Sequence, residues 1–161
     1  MRRQLETPPI SEEKLIAEVR SIYAGLITVE KKCMEFQTSK KTKFSNEQWQ
    51  ALAALHRTLL HEHYDFFLAS QHPSASPELR KLARKYDMPA RLWKHGICSF
   101  LELLRQSLPD TFEHMMAFLC TAYSMMTVFM ETVPSFKEKW TECLDHLAMC
   151  RMELLDIGTA K

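Results

Sequence analysis

The sequence predicts an all-α protein of about six helices, stacked as antiparallel helix hairpins. Composition is the first reason: only three glycines stand against many Leu, Met, Ala, Glu and Lys residues, which favours helix over sheet. The second is that apolar residues recur at helical spacing from one end to the other. The third is punctuation, with serines and prolines placed where helices should begin. A chain of 161 residues can bury one real core, and 46% apolar with 25% charged residues is the balance of an ordinary globular protein.

Residues 1–10 read as a disordered N-terminal segment, 11–156 as a single helical domain and 157–161 as a tail. Ser11 follows two prolines and opens a helix to about Phe36, with Leu15, Val19, Ile22, Leu26 and Val29 on one stripe. The polar basic run "QTSKKTKF" breaks it. Ser45 and Gln48 make a capping box for a second helix to about Ser70, through Trp49, Leu52, Leu55, Leu59 and Phe66. After the linker "QHPSAS", Ser76 and Pro77 start a short third helix that ends near Tyr86. Pro89 opens the fourth, to about Ser107, and Pro109 the fifth, to about Val133. The fifth is apolar on nearly every side, which predicts a central, buried helix. Ser135 with Glu138 makes a second capping box for the sixth, which reaches about Asp156. Trp49, Trp93 and Trp140 recur at intervals of 44 and 47 residues, each near the start of every second helix, as a hairpin stack would have them.

The expected setting is the nucleus or cytoplasm, without a membrane. No apolar run approaches the roughly 20 residues of a span, and the charged start "MRRQLETPPISEEK" lacks the apolar centre of a signal peptide. The five cysteines, an odd number with no C-x-x-C pair, read as buried free thiols. Nothing advertises catalysis or a cofactor. Three glycines cannot build a phosphate loop. In "HRTLLHEHYD", His61 and His63 point about 200° apart on a helix and cannot share a metal, while His61 with Asp65 offers two ligands at most. His56, His61 and His63 are expected to be solvated or to cap. Cys98 lies near His95 with nothing to form an oxyanion hole.

What does stand out is charge. Gln71 to Gly96 holds six basic residues (Arg80, Lys81, Arg84, Lys85, Arg91, Lys94) and two acidic ones, whereas the rest of the chain carries 15 basic and 18 acidic. On the third helix Leu79, Leu82, Ala83 and Tyr86 form an apolar face, so Arg80, Lys81, Arg84 and Lys85 fall opposite it. Like charges at i, i+4 do nothing for the helix itself. The six are therefore the candidate nucleic-acid-binding residues, acting by phosphate neutralisation, against the plainer reading of a solvated face paired with acids elsewhere. Tyr86 and Trp93 lie on apolar faces and read as core rather than as base-stacking groups.

The runs "HYDFFLASQHPSASPELRKLARKYDMPARLWKHGICSFLELLR" and "AYSMMTVFMETVPSFKEKWTECL" resemble a group of fungal proteins with an Ever-Shorter-Telomeres-type DNA/RNA-binding domain. That group is similar to the telomerase-activating subunit and to the SMG factors of nonsense-mediated mRNA decay. The resemblance covers about Arg3 to Asp156. It implies a 14-3-3-like helical module leading into a tetratricopeptide-like hairpin array, with RNA, single-stranded DNA or a ribonucleoprotein or decay-factor protein as partner. It also implies a phosphoserine site that this chain has largely lost. In "DHLAMCR", Asp145, His146, Met149 and Cys150 replace the family's Gly, Asp, Arg and Tyr, and only Arg151 persists. The site's lysine falls on Cys98, so no charge-assisted phosphate contact is expected there. Family members continue into further helices, so an uncovered apolar face favouring self-association is expected. The competing expectation is a protein-interaction scaffold whose groove binds a peptide or helical partner.

Overall fold

The computed structural model describes residues 11–38 and 43–159, and among them every regular element is a helix, with no strand. Its helices are α1 (Glu12–Gln37), α2 (Asn46–Ser70), α3 (Pro77–Arg80), α4 (Leu82–Lys85), α5 (Met88–Arg91), α6 (Ser99–Gln106), α7 (Phe112–Thr132) and α8 (Lys137–Thr159). A π-helical segment, Leu92–Cys98, joins α5 to α6, and a 3₁₀ turn, Pro134–Phe136, leads into α8. Since α3 and α4 are one interrupted run and α5 to α6 another, the six expected helical segments are all present.

Each start has its local cause. The Ser11 hydroxyl accepts from Lys14 N at 3.2 Å. Ser45 and Gln48 exchange bonds of 3.1 and 2.8 Å in the expected capping box. Ser76 caps α3 by accepting from Leu79 N, and Pro77 sits in the first turn. Asp87, with φ 54° and ψ 45°, makes the left-handed step that turns the chain from α4 into α5.

Helix α1 lays Leu15, Val19, Leu26 and Cys33 against α2, which answers with Leu52, Leu59 and Phe66, all buried. The second hairpin is α7 with α8. Phe129 meets Trp140 at the turn, with ring centroids 4.8 Å apart, and a Cβ on Gly158 would stand 3.0 Å from the Phe112 ring at the far end. Helix α2 joins the two pairs: Phe67 packs edge-on to Phe129, Phe136 and Trp140 in one aromatic cluster. Trp140 is fully buried, and its Nε1–H donates to Val133 O at 2.8 Å, which fixes the start of α8.

Several expectations shift. The fifth helix begins at Phe112, not Pro109; buried Thr111 precedes it and donates its hydroxyl to Leu104 O. It is not buried all round: one side faces α2 and α8 through Met115, Phe118, Leu119, Ala122, Met126 and Phe129, while Cys120, Tyr123 and Val128 are exposed. Ser135 lies in the 3₁₀ turn, and its hydroxyl reaches Gln71 Oε1 at 3.5 Å rather than completing a capping box. Helix α8 continues to Thr159, through most of the expected tail. Residues 1–10 and 160–161 lie outside the described residues. Among the described residues no single helix is long and apolar enough to cross a membrane.

Candidate nucleic-acid interface

Arg80 ends α3, Lys81 forms the break before α4, Arg84 and Lys85 close α4, Arg91 ends α5 and Lys94 lies in the π-helical segment. Leu79 and Ala83 are buried and Leu82 half-buried, so the expected apolar face anchors α3 and α4. Arg80, Lys81, Arg84, Lys85 and Lys94 are exposed as a result. Arg91 is different. It turns inward to Glu30 of α1, with Nη2 at 2.7 Å and Nε at 3.4 Å from the two carboxylate oxygens, and Nη1 donates to the Tyr23 hydroxyl at 2.8 Å. Burial opposes the charge on Arg91, but the bonds to Glu30 and Tyr23 outweigh it and raise the guanidinium pKa. Its charge is spent on holding α5 to α1.

Two other guanidinium groups are fixed without being neutralised. Arg80 Nε donates to Ala75 O at 3.1 Å and Nη2 to His72 O at 2.9 Å, while Gln71 Nε2 donates back to Arg80 O at 3.1 Å. Together these bonds close the 71–75 linker onto α3. Arg84 lies over the Phe136 ring at 5.4 Å. The ammonium groups of Lys81, Lys85 and Lys94 have no partner among the described residues. Ion pairs among the described residues are Arg91–Glu30 and those of Arg105 with Glu102 and Glu153. Among the described residues, five of the six cations therefore have no carboxylate within ion-pair distance.

The aromatic expectation needs correcting. Tyr86 is not a core residue: 37% of it is exposed, and its ring stacks on Tyr23 at 5.0 Å and 25°. Trp93 is half-buried beside His146, with centroids 5.3 Å apart.

The positions that the resemblance assigns to a phosphoserine site lie on and beside α8. Met149 is 61% exposed, Arg151 is exposed, and Cys98 and Cys150 are half-buried. Arg105 Nη2 reaches Cys150 Sγ at 3.7 Å, but Glu102 at 3.8 Å and Glu153 at 3.9 Å already face this guanidinium. Burial raises the Cys98 and Cys150 thiol pKa values, and it pushes Cys33 and Cys143 up to about 12, so these thiols stay protonated at neutral pH. Cys33 and Cys143 are buried as expected; Cys120 is exposed.

Two features escaped the sequence reading. His56 and His63 are fully buried, not solvated. His56 stacks on Phe100 at 4.6 Å and donates Nδ1–H to Gly96 O at 2.9 Å; among the described residues its Nε2 has no partner, nor does either nitrogen of His63. Their signal was present, since Leu52, His56, Leu59, His63 and Phe66 form one continuous helical stripe. The second is a groove of about 370 Å³ between α7 and α8, lined by Cys120, Tyr123, Ala148, Arg151 and Met152 among others. No protein-family model, curated protein or solved structure matches the chain.

Proposed function

We propose that the chain is a non-enzymatic helical module that binds nucleic acid through phosphate contacts, of the telomerase-activating or nonsense-mediated-decay type and working in the nucleus or cytoplasm. The observation that carries the reading is the set of five exposed cations, Arg80, Lys81, Arg84, Lys85 and Lys94, with no carboxylate partner among the described residues. Like charges held together without counter-charge gain favourable energy once phosphates replace their counterions. Arg91 belongs to the scaffold of this surface and not to its contacts.

Fluorescence anisotropy with labelled single-stranded RNA and DNA over a salt series tests it. Affinity should fall linearly on a log–log plot, and the triple variant Lys81→Glu, Lys85→Glu, Lys94→Glu should lose binding while keeping its helical circular dichroism. Absence of binding at low salt, or full affinity in the triple variant, overturns the proposal.

A specific observation favours a second reading, a protein-interaction scaffold. Among the described residues Met149 (61%) and Met152 (67%) are the most exposed large apolar side chains, and Met152 lines the α7–α8 groove together with Tyr123. An amphipathic helix, from a partner or a second copy, suits such a groove.

A further inference from the structure

We propose that Tyr86 is a base-stacking platform, so that the ligand of the basic surface is single-stranded rather than duplex nucleic acid. The inference rests on the phosphate-contact reading above and adds to it a residue that meets the base. Its basis is a hollow of about 240 Å³ where α1, α2 and the α3–α4 run meet, lined by Ile16, Arg20, Tyr23, Phe66, Leu82 and Tyr86 among others.

The side chains there are ordered before any ligand arrives. Tyr86 stacks on Tyr23, whose hydroxyl accepts from Arg91, whose guanidinium lies 5.5 Å from the Tyr23 ring and is held by Glu30. A tyrosine so supported keeps a fixed ring plane, with more than a third of its surface still open. Its neighbour Lys85 is an exposed cation without a partner, and Arg20, on the wall of the hollow, is another among the described residues. Apolar walls, a braced ring and cations beside it are what a planar base on a phosphodiester chain requires. A duplex presents its phosphates outward and keeps its bases stacked on one another, so it can use the cations but not the ring. An unpaired strand can use both.

The test compares labelled oligo-uridylate and oligo-deoxyuridylate with a duplex of equal length, for the wild type and for Tyr86→Phe, Tyr86→Leu and Tyr86→Ala. The aromatic Phe variant should bind like the wild type. The Leu and Ala variants should lose roughly ten- to a hundredfold in single-strand affinity, while duplex affinity and the salt slope stay as they were. The Leu variant still covers Tyr23, so it decides the matter if the Ala variant is poorly folded. Arms of similar strength for the two oligomers mean that stacking ignores the sugar. A strong preference for one identifies RNA or DNA as the ligand, and either pattern supports the platform. Wild-type binding that Tyr86→Leu leaves unchanged, or equal affinity for strand and duplex, overturns the platform while the phosphate reading survives. No binding of any nucleic acid at low salt overturns both.

Discussion

Replacing His63 with leucine should make the protein more stable at neutral pH and less sensitive to acid. The imidazole is fully buried on α2, and neither nitrogen has a hydrogen-bond partner among the described residues. Burial comes first among the causes that push its pKa down to about 3, followed by the charges of Arg91 and His95. His56 is pushed down to about 4 by burial, with its bond to Gly96 O working against the shift. Both folded values lie below the ordinary value of 6.5. The unfolded chain therefore takes up protons first, and stability is fully present above about pH 6.5 and lost as pH falls towards the folded values. At about pH 5 each histidine costs about 2 kcal/mol, or about 4 kcal/mol for the pair. That is a large part of the roughly 5–15 kcal/mol that holds a domain together. Urea unfolding at about pH 7 and about pH 5 measures the loss. His63→Leu should reduce the loss by about 2 kcal/mol and, by removing unpaired polar atoms from the core, gain about 1 kcal/mol at neutral pH. Carboxylates contribute equally to both proteins and cancel in the difference. An identical loss in wild type and variant would refute the reasoning.

Arg91→Met should destabilise the protein by about 3 kcal/mol because it strands Glu30, which is only 8% exposed; the double variant Arg91→Met, Glu30→Met should recover much of that in the same urea assay. Met152→Glu should leave the unfolding midpoint within about 0.5 kcal/mol of wild type, since the side chain is 67% exposed. If the α7–α8 face joins copies of the chain, the same substitution should convert dimer to monomer in light scattering.

How much was legible follows from the kind of signal involved. Helix existence came from apolar stripes and caps, both local: the Ser45–Gln48 box and the Ser76–Pro77 start stand where the sequence put them. The start of α7 moved because Thr111, a residue with no strong local preference, found the Leu104 carbonyl across the turn. Such a bond depends on where the previous helix ends. Glu30 shows the same limit. It lies one place beyond Val29 on the α1 stripe, and its burial becomes tolerable only because Arg91, 61 residues later, arrives beside it. The candidate surface was readable as charge but not as contacts. Alternation along the third helix placed Arg80, Lys81, Arg84 and Lys85 outside, while the fates of Arg91 and Tyr86 were decided by Tyr23 on a distant helix. The histidines failed for another reason: polar residues are assigned to solvent by habit, although His56 and His63 sit in register with the leucines.

The fastening of Arg80 and Arg84 also bears on the entropy of recognition. A free long side chain loses rotamer freedom when it meets a phosphate, a cost of order 1 kcal/mol per immobilised chain. Arg80, tied to two carbonyls, and Arg84, laid on a ring, have already given up much of that freedom in folding. Lysine would keep the formal charge yet lose the forked donors that hold Arg80 and the planar group that lies on the ring at Arg84. Charge-preserving exchange should therefore weaken a ligand by an entropic route, visible in calorimetry as a less favourable entropy at nearly constant salt dependence. In this surface, immobility is a property as selectable as charge.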